Sequence, residues 1–173
     1  GTTKALDNVD FFLEKGIIHG LLGENGAGKS SLMNILSGIY LPEKGIIKID
    51  GVLVNRLNPD LASSFGIGMV HQEFRLIDSF SIKDNLTLSK SNIYKNDFEE
   101  AFAKYSDIFA LNLNFMTPVS ELSVGEKQKV EIMKLIFNNS SIMLLDEPTA
   151  VLTPQETVQL KISLETLSQE DEK

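Results

Sequence analysis

Cysteine is absent from the 173 residues. That excludes a disulfide framework, a thiolate metal site and a catalytic thiol. No apolar run approaches the roughly eighteen residues that a membrane-spanning helix needs. The first eleven residues lack the basic, apolar, small-residue order of a secretory signal. Positive charge is scarce: 16 Lys and Arg stand against 24 Asp and Glu, for a net charge of −8. Nucleic-acid backbones are held by clustered Lys and Arg, so this composition argues against a nucleic-acid partner. It leaves room for a local site for a small anion. Histidine occurs twice, at His19 and His71. What remains is an ordinary globular balance, 42% hydrophobic and 23% charged, in a chain sized for one domain.

The order of elements points to an α/β fold. The first part reads as short strands with turns, and residues 17–22 form a short apolar run ending at Gly23, the pattern of a buried strand. On that reading His19 is a packed strand residue. A glycine-rich loop follows, then a helix from Lys29 with Leu32, Ile35 and Leu36 on one face. Residues 46–54, punctuated by Gly51, predict an antiparallel hairpin, and residues 67–70 another strand. Residues 81–115 then predict a small helical subdomain with a loop near residues 89–96. Its Phe98, Phe102, Tyr105 and Phe109 recur at steps of four, three and four, which is a core stripe. Ser123 and Glu126 have the spacing of a capping box. The helix they open leads to an apolar strand at residues 142–145, and Thr153, Pro154 and Glu156 start a last helix. Lys127 and Lys129 read as a solvated helix face. Phe74 and Phe80 fit either internal packing or a groove for a partner helix.

Two segments carry chemistry. Residues 23–30, Gly-Glu-Asn-Gly-Ala-Gly-Lys-Ser, match the P-loop pattern. Its glycines let successive N–H groups turn inward onto phosphate oxygens, and the following helix presents its positive end to the same anion. Lys29 supplies a point charge for the β- and γ-phosphates, and the Ser30 hydroxyl is placed to ligate Mg²⁺. The candidate nucleotide-binding residues are Asn25, Gly26, Ala27, Gly28, Lys29, Ser30 and Ser31. The strand at 142–145 ends in Asp146 and Glu147, which its carboxyl end delivers to the crevice beside the P-loop. Asp146 is a candidate Mg²⁺ ligand and Glu147 a candidate general base for an attacking water. His71 is assigned no chemistry.

With these residues in place the chain resembles ABC-type ATPases. Residues 122–128, Leu-Ser-Val-Gly-Glu-Lys-Gln, resemble that family's signature motif, usually Leu-Ser-Gly-Gly-Gln. Val70, His71 and Gln72 look like its Q-loop, and Glu147, Pro148 and Thr149 match its continuation after the Walker B strand. The resemblance covers nearly the whole chain. It implies a mostly parallel core sheet carrying the P-loop, with Gln72 in a sensing position at the catalytic and Mg²⁺ site. It also implies that Ser123 and Gly125 meet the γ-phosphate of ATP held by a partner domain. Val124 in place of a glycine, and Ala-Val-Leu-Thr at residues 150–153, look like the importers of simple sugars and nucleosides. Those usually carry two ATPase domains in one polypeptide.

The resemblance therefore implies ATP hydrolysis on the cytoplasmic face of a membrane. Its expected partners are a second ATPase domain, transmembrane permease subunits and, indirectly, an extracellular substrate-binding protein. The whole chain, residues 1–173, reads as one such domain, short at both ends. No histidine follows Glu147, and no aromatic residue precedes Lys4 to stack on adenine, so the isolated chain is expected to be inactive in turnover. The alternative is a soluble ABC-type ATPase acting on nucleic acid or ribosomes, disfavoured by the acidic balance and by residues 150–153. A nucleotide-binding regulator without turnover is disfavoured by Glu147.

Overall fold

Local end signals account for most of the helices in the computed structural model, which describes residues 4–88 and 97–170. Helix α1 (Lys29–Leu36) follows the glycine-rich loop. Helix α2 (Pro59–Ser64) starts where the Asn58 side chain accepts from the Leu61 N–H at 2.8 Å, with proline at its first position. Helix α3 (Ile82–Thr87) opens on a reciprocal box between Ser81 and Asp84, and α5 (Val124–Phe137) on one between Ser123 and Glu126. At the start of α6 (Pro154–Glu170), Thr153 and Glu156 exchange the same pair of bonds. Each such cap is worth about 1 kcal/mol. Helix α4 (Phe98–Ile108) has no side-chain cap and is held by burial instead.

Strands β1 (Ile47–Ile49) and β2 (Val52–Val54) form the antiparallel hairpin expected around residues 50–51. Strands β3 (Ile67–Val70) and β4 (Ile142–Leu145) pair in parallel, with Ile67 opposite Ile142 and Val70 opposite Leu145. The larger core lies among α3, α4 and α5. Phe98, Phe102, Tyr105 and Phe109 are all buried there against Val130, Met133 and Phe137, so the stripe is core as expected. Phe98 stacks on Phe102 with centroids 5.8 Å apart, and Phe115 meets both edge-on at 5.6 Å. A smaller core of Leu57, Ala62, Ile67 and Leu144 ties α2 to the parallel pair.

The chain leaves α1 through Gly38, whose φ is +77°. A Cβ there would lie 2.4 Å from the Asn58 carbonyl carbon and 2.6 Å from its oxygen. Backbone at a helix cap cannot swing aside as a flexible side chain can. Gly38→Ala is therefore expected to lower the unfolding free energy by at least about 2 kcal/mol, combining left-handed strain with overpacking. Urea melts of the two proteins check this, and equal midpoints would refute it.

The structure corrects the reading of the first part. Residues 17–22 form no strand: Ile17 and Ile18 are each 53% exposed and Leu22 is 94% exposed. A strand is a pairing, and apolarity cannot supply the partner edge. Among the described residues no backbone–backbone hydrogen bond reaches residues 17–22. The described parallel sheet is thus β3–β4, and the P-loop follows an irregular, largely exposed segment rather than a strand of that sheet. His19 is exposed as well, its Nε2 accepting from the Glu14 N–H at 3.4 Å. Lys127 and Lys129 are not a solvated face, since Lys127 pairs with Asp78 at 2.7 Å and Lys129 donates to the Ala110 carbonyl at 3.4 Å. Phe74 is half-buried and Phe80 is exposed. The expected loop near residues 89–96 lies outside the described residues.

Candidate functional site

Two glycines let the 23–28 loop curl ahead of α1. Gly26 and Gly28 have φ of +85° and +93°, and a Cβ on Gly28 would also lie 2.5 Å from the Ala5 carbonyl oxygen. Gly28 precedes α1 without any side-chain cap. The N–H groups of Lys29, Ser30 and Ser31 therefore have no intrahelical partner, and with the helix's positive end they form an anion seat. Lys29 folds back over the loop, its Nζ donating to the carbonyls of Gly23 at 2.6 Å and Glu24 at 2.9 Å. The Ala27 N–H is spent inside the loop, on the Glu24 carbonyl at 3.1 Å.

A cleft of about 360 Å³ opens over this seat. Asn25, Gly26, Gly28, Lys29, Ser30 and Ser31 line it from one side and Glu147 from the other. Lys4 and Ala5 complete the wall. Sequence reasoning missed those two, which lie some twenty residues before the P-loop in no motif. Another cleft, of about 320 Å³ between Pro42 and Arg56, contains none of the motif residues.

The parallel register places the remaining chemistry. With Val70 opposite Leu145, the ladder continues through the Asp146 N–H, which donates to the Val70 carbonyl at 3.1 Å. Gln72 and Glu147 each lie two residues beyond that last pair. The Gln72 Nε2 accordingly donates to the Glu147 Oε2 at 3.4 Å. One residue earlier, Asp146 faces the P-loop: the Ser30 hydroxyl donates to its Oδ1 at 3.4 Å. Glu147 holds φ at +49°, a left-handed conformation that costs a non-glycine residue about 1–2 kcal/mol. Such strain at a strand end aims the carboxylate into the cleft rather than along the strand.

The donors suit Mg²⁺ held together with a nucleotide. Mg²⁺ takes hard oxygen ligands, one or two from protein and the rest from phosphates and water. The Ser30 hydroxyl and Asp146 carboxylate converge as such a pair, and the Gln72 amide contacts Glu147, the next residue along the chain from Asp146. Among the described residues no group of three or more His, Asp or Glu could hold a metal unaided. His71 beside them is half-buried. Burial and then Arg75 lower its pKa, with Asp146 opposing, which favours a neutral imidazole.

Ser123 and Gly125 do not line the cleft of their own chain. The Ser123 side-chain oxygen accepts from the Glu126 N–H at 3.3 Å, and among the described residues its own proton has no acceptor. Gly125 is buried, and a Cβ on it would lie 2.2 Å from the Glu156 Oε1. The pKa of Glu156 is lowered, first by the Thr153 N–H and then by the Thr153 hydroxyl. The signature segment thus abuts the cap of α6, a contact that no motif announces.

The ABC transporter family matches residues 6–150. The guanosine import ATP-binding protein NupO of Bacillus subtilis is 41% identical over 171 residues, 96% of this chain and 34% of that protein. The nucleoside import ATP-binding protein NupA of Lactococcus lactis is 41% identical over 98% of this chain and 35% of its own length. A ribose import ATP-binding protein, RbsA of Caldanaerobacter subterraneus, is 43% identical over 92% of this chain and 34% of its own length. The chain spans about a third of the length of these relatives. Among solved structures, the dimeric post-hydrolysis state of the ATP-binding cassette MJ0796 bound to ADP and phosphate superposes with a TM-score of 0.80 at 28% identity. That match covers 96% of this chain and 76% of that one.

Proposed function

The chain belongs to the ABC transporter family, and from that premise we propose that it binds and hydrolyses ATP to power import of a nucleoside or simple sugar. The observation that carries the reading is the meeting of the Ser30 hydroxyl with Asp146 at the end of β4, next to the Glu147 that the Gln72 amide contacts. The α1 N–H groups and Lys29 receive the phosphates. Lys29 exchanges its two loop carbonyls for phosphate oxygens. Ser30 and Asp146, with Gln72, would hold Mg²⁺, which when bound would offset the negative charge of the phosphates.

Glu147 takes a proton from water as the water oxygen bonds to the γ-phosphorus. The bond from that phosphorus to the β–γ bridging oxygen breaks, and ADP and phosphate leave. Ser123, whose hydroxyl proton has no acceptor among the described residues, and Gly125 lie off their own cleft. That placement supports their serving the nucleotide of a second ATPase domain. Permease subunits and a substrate-binding protein complete the assembly, with the ATPase at the cytoplasmic face of the membrane. Among the described residues no helix is long and apolar enough to cross a membrane.

The relatives named for guanosine, nucleoside and ribose import support a ribose-containing cargo. The test is reconstitution of the full-length protein with its permease in vesicles, offered labelled guanosine and labelled ribose. ATP-dependent uptake of one of them, lost with Glu147→Gln, is the expected result. ATPase activity that ignores the permease but is stimulated by ribosomes or DNA would contradict it.

A further inference from the structure

Two cations line the cleft over the P-loop, Lys29 and Lys4. The P-loop accounts for the first. No motif accounts for Lys4, yet packing holds it at that wall. A Cβ on Gly28 would meet the Ala5 carbonyl oxygen at 2.5 Å and the Leu6 Cδ2 at 2.9 Å. Glycine at that position, with φ at +93°, therefore lets residues 5–6 lie directly on the start of α1. Lys4 is the neighbour of Ala5, about 3.8 Å away from Cα to Cα. The contact thus delivers an ammonium group to the rim of the anion seat.

In the free chain that ammonium pairs with the Asp7 carboxylate, three residues on. The two side chains are 66% and 60% exposed. A pair so open to water shifts an equilibrium by no more than about fivefold. Asp7 therefore parks Lys4 without committing it. A phosphate oxygen inside a walled cleft is the stronger partner, because less water screens it.

The cleft also has use for the charge. Mg²⁺, Lys29 and the roughly half-charge at the start of α1 fall short of the polyphosphate of ATP taken together with Asp146 and Glu147. Among the described residues lining the cleft, Lys4 is the one cation beyond Lys29.

We propose that Lys4 is a second phosphate-binding cation, held by Asp7 in the free protein and handed to the nucleotide when it binds. The inference rests on the proposed nucleotide reading of the cleft. The contact is one of charge, separate from the adenine stack that the resemblance implies upstream of Lys4.

The test is calorimetry on the full-length protein with Mg²⁺ and a slowly hydrolysed ATP analogue, any second ATPase site being silenced. The proteins are the parent, Lys4→Met, Lys4→Arg, Asp7→Asn and the double variant of Lys4→Met with Asp7→Asn. Methionine keeps the aliphatic stem and loses only the charge. Lys4→Met should weaken binding by at least about fivefold, between the scale of an exposed ion pair and that of a charge-assisted hydrogen bond. Lys4→Arg should recover most of that loss. Asp7→Asn alone should tighten binding, since Lys4 no longer has to leave a partner.

The deciding comparison is made without the Asp7 charge, which Lys4→Met would otherwise leave bare at the rim. In the Asp7→Asn background Lys4→Met should still weaken binding by at least about fivefold. Equal affinity of Asp7→Asn and the double variant overturns the proposal. So does an Asp7→Asn protein that binds as weakly as Lys4→Met, which would make the pair a strut of residues 4–7 rather than a store for the cation. A parent that binds no nucleotide, or a Lys29→Ala protein that binds as tightly as the parent, overturns the nucleotide reading itself and this inference with it.

Discussion

Replacing Glu147 with glutamine is expected to lower ATP turnover at this site by at least about 100-fold, the low end of what a positioned general base contributes. The substitution isolates proton acceptance. Glutamine has the same length, still offers an acceptor oxygen to the Gln72 amide, and carries the same left-handed strain at φ +49°. Mg²⁺-ATP affinity should stay near that of the parent, because the proposed phosphate contacts come from α1 and Lys29. The measurement is steady-state phosphate release by the full-length protein, with any second ATPase site silenced so that it cannot mask the loss. Turnover near the parent rate would show that Glu147 is not the base.

Lys29→Ala acts on the other half of the site. It should weaken ATP binding by at least about 2 kcal/mol, roughly thirtyfold, the scale for removing one partner of a desolvated charge pair. The free protein should barely notice. The two carbonyls that Lys29 serves are exposed and can turn to water, so each lost bond costs at most about 1.5 kcal/mol and in practice less. Calorimetry with Mg²⁺-ATP reads the first effect and a thermal melt the second. Equal affinity in the two proteins would remove Lys29 from the site. A large fall in melting temperature would recast it as a structural strut of the loop.

The parts of this fold that were legible in sequence are those fixed by neighbours in the chain. Ser123 with Glu126, Thr153 with Glu156 and the glycines of residues 23–28 act over three or four residues, and each is found doing so. The core stripe from Phe98 to Phe109 was legible because its period belongs to the helix that carries it. Residues 17–22 were misread because their apolarity describes one side of a contact whose other side must come from elsewhere.

The same limit hid the contacts of Lys127, Glu131 and Lys134. Charges at helical spacing ordinarily mean a face in water. Here residues 75–78 cross that face, a fact of tertiary structure that no local pattern encodes. For the site, the motifs named the members, but their meeting depends on register. A shift of β3 by one residue against β4 would part Gln72 from Glu147. Lys4 and Ala5 belong to no motif, and only the adenine position that the resemblance implies, just upstream of Lys4, pointed toward their part of the cleft.

The proposed function requires the P-loop and the end of β4 to form one Mg²⁺-ATP site. A crystal structure of the full-length protein with Mg²⁺ and a slowly hydrolysed ATP analogue tests it most directly, through the position of one nitrogen. In the free chain the Lys29 Nζ sits on the carbonyls of Gly23 and Glu24. With nucleotide bound it should have moved onto the phosphate oxygens, with Ser30 and Asp146 converging on the ion and Glu147 facing the γ-phosphate. A nucleotide bound elsewhere, or Lys29 still resting on its two carbonyls beside an occupied cleft, would contradict the account.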